Sequence, residues 1–593
     1  MHRRMPSAPG LSPSPRAGPG ASYPRSEPDP SWRVEVLCVA AACAFFLLLV
    51  VPEALRQTYP YFDDVTYLRL GNDVHSLGGP LGLLRALFAG TFAESNRHPL
   101  YLAVLGLVAH PRPAYHREAQ LLTAALGVLA LLACYRTARR HLGLAAATLL
   151  ALLLAVSRTL VACSAREGCE PLLVIFWALA VGAVLDGVGL GGGASRRRLA
   201  WLRGGVYSGL AYLTKGTGLF LPASLALTFL VEEGWRAVLD RRAYAYAAGF
   251  LAASSPLLVR NQRMFGFPFY NFNLGTLWHD QLSDFAETFA PQAKLLVPHG
   301  FLDYLRHLTP GALVQRVAVG VGETVYLLAD AMAPTGGSPH RPLFLAVYVI
   351  GDLLGALAVV LALRQLFAGA RGFGRSFLLV HAGFTALFLF VFSVNGTGNT
   401  RYFLPLAATV LMPALAARVV EDVRAAGSFT ASGLGRAVGG VAIAAVAAGL
   451  IFHGPTLEKP GMAEVRDWLV ARLAPGDTYA VDARSHLQLE WLAPEAHQLI
   501  VSASWRDLPV DPAVLEDYLR ANRVRYVVLD ASSVAHLARP GDPAGRRYLF
   551  YQEMPLEADG SLPREGVPKG FRIAYEDPGS PRRWMVLEAT AGR

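Results

Sequence analysis

The chain has 593 residues, of which 53% are hydrophobic and 17% charged, and its mean hydropathy is +0.35. An average soluble domain carries about 25% charged residues, so this composition excludes a disordered, collagen-like or coiled-coil protein and favours a membrane protein. The net charge of +10 comes from short Arg clusters between apolar segments. Because these clusters form no continuous basic stripe, we expect no nucleic-acid partner.

The first part of the chain predicts a tail followed by a bundle of membrane helices. Residues 1–32 are rich in Pro, Ser, Gly and Arg, which predicts a disordered tail. The apolar segment 34–51 has a long tail before it and no small-residue cleavage site, so we interpret it as a retained membrane helix. Further predicted membrane helices bring the total to about 11–13; they are 118–135, 143–163, 170–190, 200–213, 216–230, 243–260, 342–363, 376–394, 402–418 and 437–453.

Arg-rich loops orient this bundle. Those at 136–141, 196–203, 236–242, 364–375 and 418–436, together with the tail, predict the cytoplasmic side by the positive-inside rule. The opposite side receives the first outer loop 52–98, the loops 164–169, 261–341 and 395–401, and residues 454–593. Segment 99–110 could be re-entrant or could pair with a weak crossing at 81–92. Segment 311–333 is expected to lie at the membrane interface.

The last 140 residues differ in pattern from the bundle. Short apolar strands are predicted at 479–481, 499–501 and 526–529, and they alternate with helical segments at 461–473 and 511–522. We therefore predict three domains. They are the cytoplasmic tail 1–32, the transmembrane domain 33–453 and an extracytoplasmic α/β domain at 454–593.

The first outer loop carries the strongest candidate for acid–base chemistry. Asp63 and Asp64 follow directly after the first membrane helix, where charges are costly without a purpose. Asp63 could act as a general base, and Asp64 could hold a divalent metal or position the acceptor. A helix cap followed by a first-turn charge explains the pair equally well.

Cations and polar residues on the predicted outer side form a second set of candidates. An Arg fork suits a phosphate, although interfacial anchoring or snorkelling would explain single residues. The mixed charges at 164–170 could bind a polar substrate or pair with one another. A pocket for an anionic lipid headgroup would explain the cations among them better than random placement. The candidates of this second set are Tyr67, Arg97, His98, Tyr101, Arg166, Glu167, Glu170, Lys215, Arg260, Asn261, Arg401 and Tyr402.

Four stretches in order along 34–453 resemble the polytopic glycosyltransferases with a GT-C fold, the superfamily of protein O-mannosyltransferases and aminoarabinose transferases. The stretches are Phe62-Asp63-Asp64 through Tyr67, Arg97 to Tyr101, Gly209 to Gly216, and Arg260-Asn261 through Pro268. Two positions depart from the family pattern. Asp64 stands where Glu is common, and His98 stands where Pro follows the basic residue.

The resemblance implies transfer of a sugar from a polyprenyl-phosphate donor to a lipid, glycan or protein acceptor on the outer face of the cytoplasmic membrane. It implies that Asp63 is the base and that either Arg97 or His98 faces the phosphate. A single displacement at the anomeric carbon would invert configuration. The alternative is a transporter or flippase for a lipid-linked or anionic substrate, although no related halves are visible in the sequence. A third hypothesis is that the chain is a non-catalytic assembly protein.

Overall fold

The structure is a computed structural model of the chain. It describes residues 32–57, 60, 62–110, 114–189, 194–271, 309–334, 342–368, 372–394, 399–425, 461–474, 477–482, 497–501, 521, 524–531, 559, 561–562, 564, 567, 570–579 and 582–590.

The described residues before 426 are almost entirely helical. The first eight helices are α1 (Trp32–Arg56), α2 (Phe62–Ser76), α3 (Gly79–Ala89), α4 (Pro99–Leu105), α5 (Ala114–Leu142), α6 (Leu144–Ala155), α7 (Arg158–Ser164) and α8 (Glu170–Gly189). The next six are α9 (Ala194–Thr214), α10 (Phe220–Glu233), α11 (Arg241–Phe265), α12 (Pro310–Met332), α13 (Pro342–Ala368) and α14 (Phe373–Val394). Then α15 (Thr400–Leu406) continues through a π-helical turn, Ala407–Leu411, into α16 (Met412–Ala425).

Among the described helices, six are long and apolar enough to cross a membrane by length and composition. They are Glu35–Leu55, Ala114–Leu142, Glu170–Gly189, Val349–Ala368, Phe373–Val391 and Thr400–Arg424. Helices α9, α10 and α11 cover three more of the predicted segments, whereas 437–453 lies outside the described residues. The prediction of a multi-pass helical membrane protein is confirmed.

The segment 143–163 is not the single helix that its hydropathy predicts. It breaks between α6 and α7, where the Ser157 hydroxyl accepts a hydrogen bond from the Leu160 amide at 3.3 Å. A serine side chain that caps a new helix competes with continuation of the old one. The break also exposes the Arg158 amide, which donates to the Ala333 carbonyl at 3.2 Å. The end of α12 is thereby attached to the start of α7.

The two short apolar helices after α2 are each too short to cross a bilayer. Helix α3 has 11 residues and α4 has seven, and at 1.5 Å per residue both fall well short of a hydrocarbon core of about 30 Å. Leu83 and Leu87 of α3 and Tyr101 of α4 instead pack against Leu68 of α2 in one buried cluster. The three helices thus form a small layer that carries Asp63 and Arg97.

Helix α12 covers the segment predicted to be interfacial. It has 23 residues, enough to cross a membrane, but it carries Arg316, Glu323 and Asp330. Val314 is 69% exposed on this helix. The interfacial position remains a prediction.

The C-terminal part contains a five-stranded mixed sheet in the order β2-β1-β3-β5-β4. Its strands are β1 (Thr478–Asp482), β2 (His497–Val501), β3 (Val524–Asp530), β4 (Phe571–Glu576) and β5 (Trp584–Ala589). Strand β1 pairs in parallel with β2 and β3, and β5 pairs antiparallel with β3 and β4. Helix α17 (Met462–Val470) buries Val465 and Leu469 against this sheet. The predicted α/β part is confirmed.

Strands β4 and β5 were not among the predicted strands. The predicted helical segment 511–522 lies almost entirely outside the described residues. The proposed domain boundaries remain predictions.

The crossing of α9 and α11 depends on glycine. A Cβ atom at Gly205 of α9 would lie 1.9 Å from the Tyr246 carbonyl oxygen of α11, and one at Gly249 would lie 2.2 Å from the Leu202 carbonyl oxygen. Such distances are possible only without a side chain, so the two backbones approach closely here. The crossing fixes α9, whose C-terminal end leads to Lys215.

We predict that Gly205→Val destabilises the protein by about 3 kcal/mol or more, because the added atoms clash with the backbone of α11 and the helices must separate. The thermal unfolding midpoint of the purified protein in detergent measures this effect. Gly383→Val is the matched control, since a Cβ there meets nothing within 4 Å. Equal midpoints for the two variants would contradict the tight crossing.

Candidate functional site

Asp63 lies between two arginines that are distant in the sequence. Its Oδ1 accepts a hydrogen bond from Arg97 Nη2 at 2.5 Å, and its Oδ2 accepts one from Arg401 Nη2 at 2.6 Å. The Asp63 side chain is 21% exposed. Both carboxylate oxygens are therefore paired, while the group remains within reach of a ligand.

A second carboxylate continues this arrangement. Glu170 Oε1 lies 2.7 Å from Lys215 Nζ and 3.7 Å from Arg401 Nε, and the Glu170 side chain is only 3% exposed. Arg401 therefore faces both carboxylates. We call Asp63, Arg97, Glu170, Lys215 and Arg401 the outer charge cluster, after the side of the membrane that the sequence predicts for them.

Local structure places four members of this cluster at the ends of elements, and Arg97 lies in the loop before α4. Asp63 lies in the first turn of α2 and Glu170 in the first turn of α8, where a carboxylate interacts favourably with the helix dipole. Lys215 follows the end of α9 and precedes a short 3₁₀ turn. The side chain of Asn399 accepts from the Arg401 amide at 3.1 Å and so caps α15. Five chain segments thus supply one charged group each.

Aromatic rings surround the cations. The guanidinium carbon of Arg97 lies 5.3 Å from the centre of the Tyr67 ring, and Lys215 Nζ lies 4.6 Å from the centre of the Tyr402 ring. Such contacts stabilise a partly desolvated cation. Tyr67 itself packs edge-on against Tyr101, and its hydroxyl donates to Cys169 Sγ at 3.2 Å. The rings therefore restrict the positions that the cations can take.

The electrostatics of the cluster keep Asp63 ionised. Burial acts to raise the pKa of Asp63, but Arg97 and Arg401 outweigh it and lower the pKa from 3.8 to about 2. His98, next to Arg97, behaves differently, because burial lowers its pKa to about 4. Its Nδ1 donates to the Tyr212 carbonyl at 2.5 Å. At neutral pH the site therefore contains an anionic Asp63 and an uncharged His98.

Two of the predicted carboxylates point into the protein. Asp64 is 5% exposed, and its Oδ2 accepts from Gln57 Nε2 at 3.3 Å. Glu167 is fully buried and forms a short hydrogen bond with His116 Nδ1. The ring Nε2 of His116 lies 3.1 Å from the Gln57 carbonyl oxygen. These four residues form a buried polar network behind α2. Arg166 lies half-buried on the loop that carries Glu167.

Arg260 and Asn261 hold backbone segments. The guanidinium of Arg260 donates to the Glu94 carbonyl through a short hydrogen bond, and the Asn261 amide donates to the Pro268 and Tyr270 carbonyls at 3.0 and 3.1 Å. Glu94 in turn accepts from the Arg97 amide at 2.7 Å through its Oε1. The structure thus places Arg260 next to the loop that presents Arg97. Neither Arg260 nor Asn261 belongs to the outer charge cluster.

The donor set does not suit a divalent metal. Within the part of the chain that the structure describes, no group of three or more His, Cys, Asp or Glu side chains could hold a metal ion. The two carboxylates of the outer charge cluster, Asp63 and Glu170, face arginine and lysine, which would repel a cation. Asp64, the candidate ligand, is buried beside Gln57. We therefore assign no step to a metal.

Several residues at this site carry no recognisable sequence signal. His116, Gln57 and Glu94 are single polar residues with ordinary spacing, and Cys169 is a single thiol in an apolar context. Only the fold shows that they support Asp64, Arg97 and Tyr67.

Comparisons with known proteins identify the fold. Residues 98–259 match the family model described as dolichyl-phosphate-mannose-protein mannosyltransferase, and no curated protein matches the sequence. An oligosaccharyltransferase of Archaeoglobus fulgidus in the apo form superimposes with a TM-score of 0.53 at 16% identity, covering 87% of this chain and 72% of that chain. ArnT from Cupriavidus metallidurans bound to undecaprenyl phosphate gives 0.52 at 14% identity, covering 95% and 100%.

A third structure, the archaeal oligosaccharyltransferase AglB from Archaeoglobus fulgidus in complex with an inhibitory peptide and a dolichol-phosphate, gives a TM-score of 0.51 at 14% identity and covers 87% of this chain and 71% of that chain. These likenesses confirm the GT-C fold that the sequence resemblance implies. They concern the fold, and function is argued from the site itself.

We predict that Lys215→Met lowers the free energy of unfolding by about 3 kcal/mol, because it leaves the buried Glu170 carboxylate without its nearest partner. The double variant Lys215→Met/Glu170→Gln should recover part of that loss. Thermal unfolding in detergent provides the measurement.

Arg418→Met serves as the control for this experiment. Arg418 pairs with Asp422, whose side chain is 54% exposed, so the loss should stay below about 1 kcal/mol. A double variant as unstable as the sum of its two single variants would contradict the coupling between Lys215 and Glu170.

Proposed function

We propose that this protein is a membrane glycosyltransferase that moves a sugar from a polyprenyl-phosphate donor to an acceptor on the outer face of the cytoplasmic membrane. The observation that carries the proposal is the position of Asp63 between Arg97 and Arg401. The family match and the GT-C fold support it. We place the N-terminus in the cytoplasm and residues 454–593 outside it.

The cations fit the leaving group of such a reaction. A donor of this class joins the anomeric carbon to a phosphate oxygen, and negative charge grows on that oxygen as the bond breaks. Arg97, Lys215 and Arg401 supply three positive charges beside two carboxylates. Fixed cations that already face the developing charge stabilise the transition state. The phosphate would therefore bind at the outer charge cluster.

Asp63 fits the role of general base. The acceptor oxygen or nitrogen would attack the anomeric carbon and pass its proton to the Asp63 carboxylate. The bond from that carbon to the phosphate oxygen would break, and its electron pair would leave with the polyprenyl phosphate. Attack opposite the leaving group inverts the configuration at the anomeric carbon. No covalent enzyme intermediate is needed.

Donor binding and base strength are linked in this arrangement. A carboxylate with a pKa of about 2 is ionised at neutral pH but is a weak base. If the phosphate draws Arg97 and Arg401 toward itself, Asp63 loses part of the stabilisation of its charged form, and its pKa rises. The base would therefore become stronger only after the donor has bound.

Asp63→Asn should lower the transfer rate by about 10²–10⁴-fold, because it removes the base while keeping the shape of the side chain. The assay incubates purified protein with labelled polyprenyl-phosphate sugar and an acceptor extract and follows loss of the sugar from the lipid.

Asp73→Asn is the control for this assay, since it changes an exposed carboxylate of the same helix α2. Full transfer by Asp63→Asn would disprove the base assignment. If the wild type moves intact donor across a vesicle membrane and releases no sugar, the result would favour the transporter hypothesis.

The pH profile provides a separate test. Because the pKa of Asp63 is lowered, the group should stay ionised as the pH falls, and kcat/KM of the wild type should show no loss from Asp63 between pH 7 and about pH 4. The Arg97→Gln variant lacks one of the two arginines that counteract the effect of burial, so the pKa of Asp63 should rise. The fall of kcat/KM at acidic pH should therefore begin at pH 4 or above. The exposed Arg69 offers the control Arg69→Gln. If the fall begins at the same pH in Arg97→Gln as in the wild type, the result would contradict the pairing.

A further inference from the structure

The residue before Arg401 links the outer charge cluster to a second group of charges. Thr400 Oγ1 donates a hydrogen bond to Asp330 Oδ2 of α12 at 2.6 Å. On the other side, Asn399 caps the same helix through the Arg401 amide. The first turn of α15 is therefore held by a side chain of a distant helix as well as by its own cap.

Asp330 is itself fixed by a partly buried ion pair. Its Oδ1 forms a short contact with Arg158 Nη1 at the start of α7, and the same nitrogen lies 3.1 Å from Asp352 Oδ1 of α13. The side chains of Arg158, Asp330 and Asp352 are 16%, 9% and 16% exposed. A close approach of α13 permits this arrangement, because a Cβ atom at Gly351 would lie 2.9 Å from Arg158 Nη2.

The two carboxylates and one guanidinium resist displacement. Breaking a buried ion pair leaves an unpaired charge and is strongly unfavourable. Asp330 uses one oxygen for Arg158 and the other for Thr400, so its position is set from both sides. Helices α7, α12, α13 and α15 thus meet at one point, one residue away from Arg401.

We propose that Thr400 and Asp330 are positioning residues for Arg401. Asp330, held by Arg158, fixes Thr400 and hence the start of α15, so that the Arg401 guanidinium reaches Asp63 and the donor phosphate. This inference rests on the proposed function, because it assigns a purpose to the Arg401 position in transfer. A misplacement of about 1 Å can reduce a rate about 10²-fold, so a single hydrogen bond at this place has a large effect.

The test compares Thr400→Val, which removes the hydroxyl, with Thr400→Ser, which keeps it. We expect kcat/KM for the labelled polyprenyl-phosphate sugar to fall about 10-fold to 100-fold in Thr400→Val and to stay within about threefold of the wild type in Thr400→Ser. Thr409→Val is the matched control. Thr409 is also buried, and its hydroxyl donates to the Pro405 carbonyl of its own helical segment at 2.7 Å.

A double-variant cycle separates positioning from general stability. In an Arg401→Ala background, Thr400→Val should cause less than about a twofold further loss, because the residue through which it acts is gone. Thermal unfolding of each variant accompanies the kinetics, and Thr400→Ser remains informative if Thr400→Val does not fold.

Equal losses in Thr400→Val and Thr409→Val, or an additive loss in the Arg401→Ala background, would overturn the inference. A wild type that releases no sugar from any polyprenyl-phosphate donor would instead overturn the proposed function.

Discussion

The pairing of Asp63 with Arg97 and Arg401 is the interaction on which the rest of the site depends. The two arginines come from positions 34 and 338 residues away in sequence, and each binds a different oxygen of one carboxylate. The pairing joins the layer of α2, α3 and α4 to the start of α15. It also sets the electrostatic state of Asp63, because burial opposes the charged form and only the nearby cations keep it ionised.

If the donor phosphate binds at the outer charge cluster, as we propose, the charge balance of the cluster explains how the site stays ordered before the donor arrives. Three cations face two carboxylates, so one positive charge is left over. Without a donor, Asp63 and Glu170 keep the long cationic side chains ordered, which reduces the entropy lost when a phosphate binds. With a donor, the phosphate competes with Asp63 for the same guanidinium groups. The affinity for the donor and the base strength of Asp63 would then both depend on the arginines changing partner from Asp63 to the phosphate.

The sequence identifies charged residues at the ends of apolar segments, and the structure shows which of them meet. Charged residues at the ends of apolar segments on one predicted side of a membrane are expected to lie close together, and this expectation covers Asp63, Arg97, Lys215 and Arg401. In the structure Asp63 pairs with both arginines, and Glu170 joins Lys215 to Arg401. The same reasoning cannot distinguish a cation that faces a ligand from one that holds a backbone carbonyl. Arg260 has the same pattern, but its partner is a carbonyl 166 residues away. Buried partners such as His116 leave no periodic signal, so only packing reveals them.

The central claim is that the donor phosphate binds between the cations that now hold Asp63. The most direct measurement is an electron cryo-microscopy structure of the full chain in lipid nanodiscs with polyprenyl phosphate bound. Our account predicts phosphate oxygens about 3 Å from nitrogen atoms of at least two of Arg97, Lys215 and Arg401. It also predicts that the distances from Asp63 to the two arginines exceed the 2.5 and 2.6 Å seen without ligand. A phosphate bound elsewhere, with both ion pairs of Asp63 intact, would contradict the account.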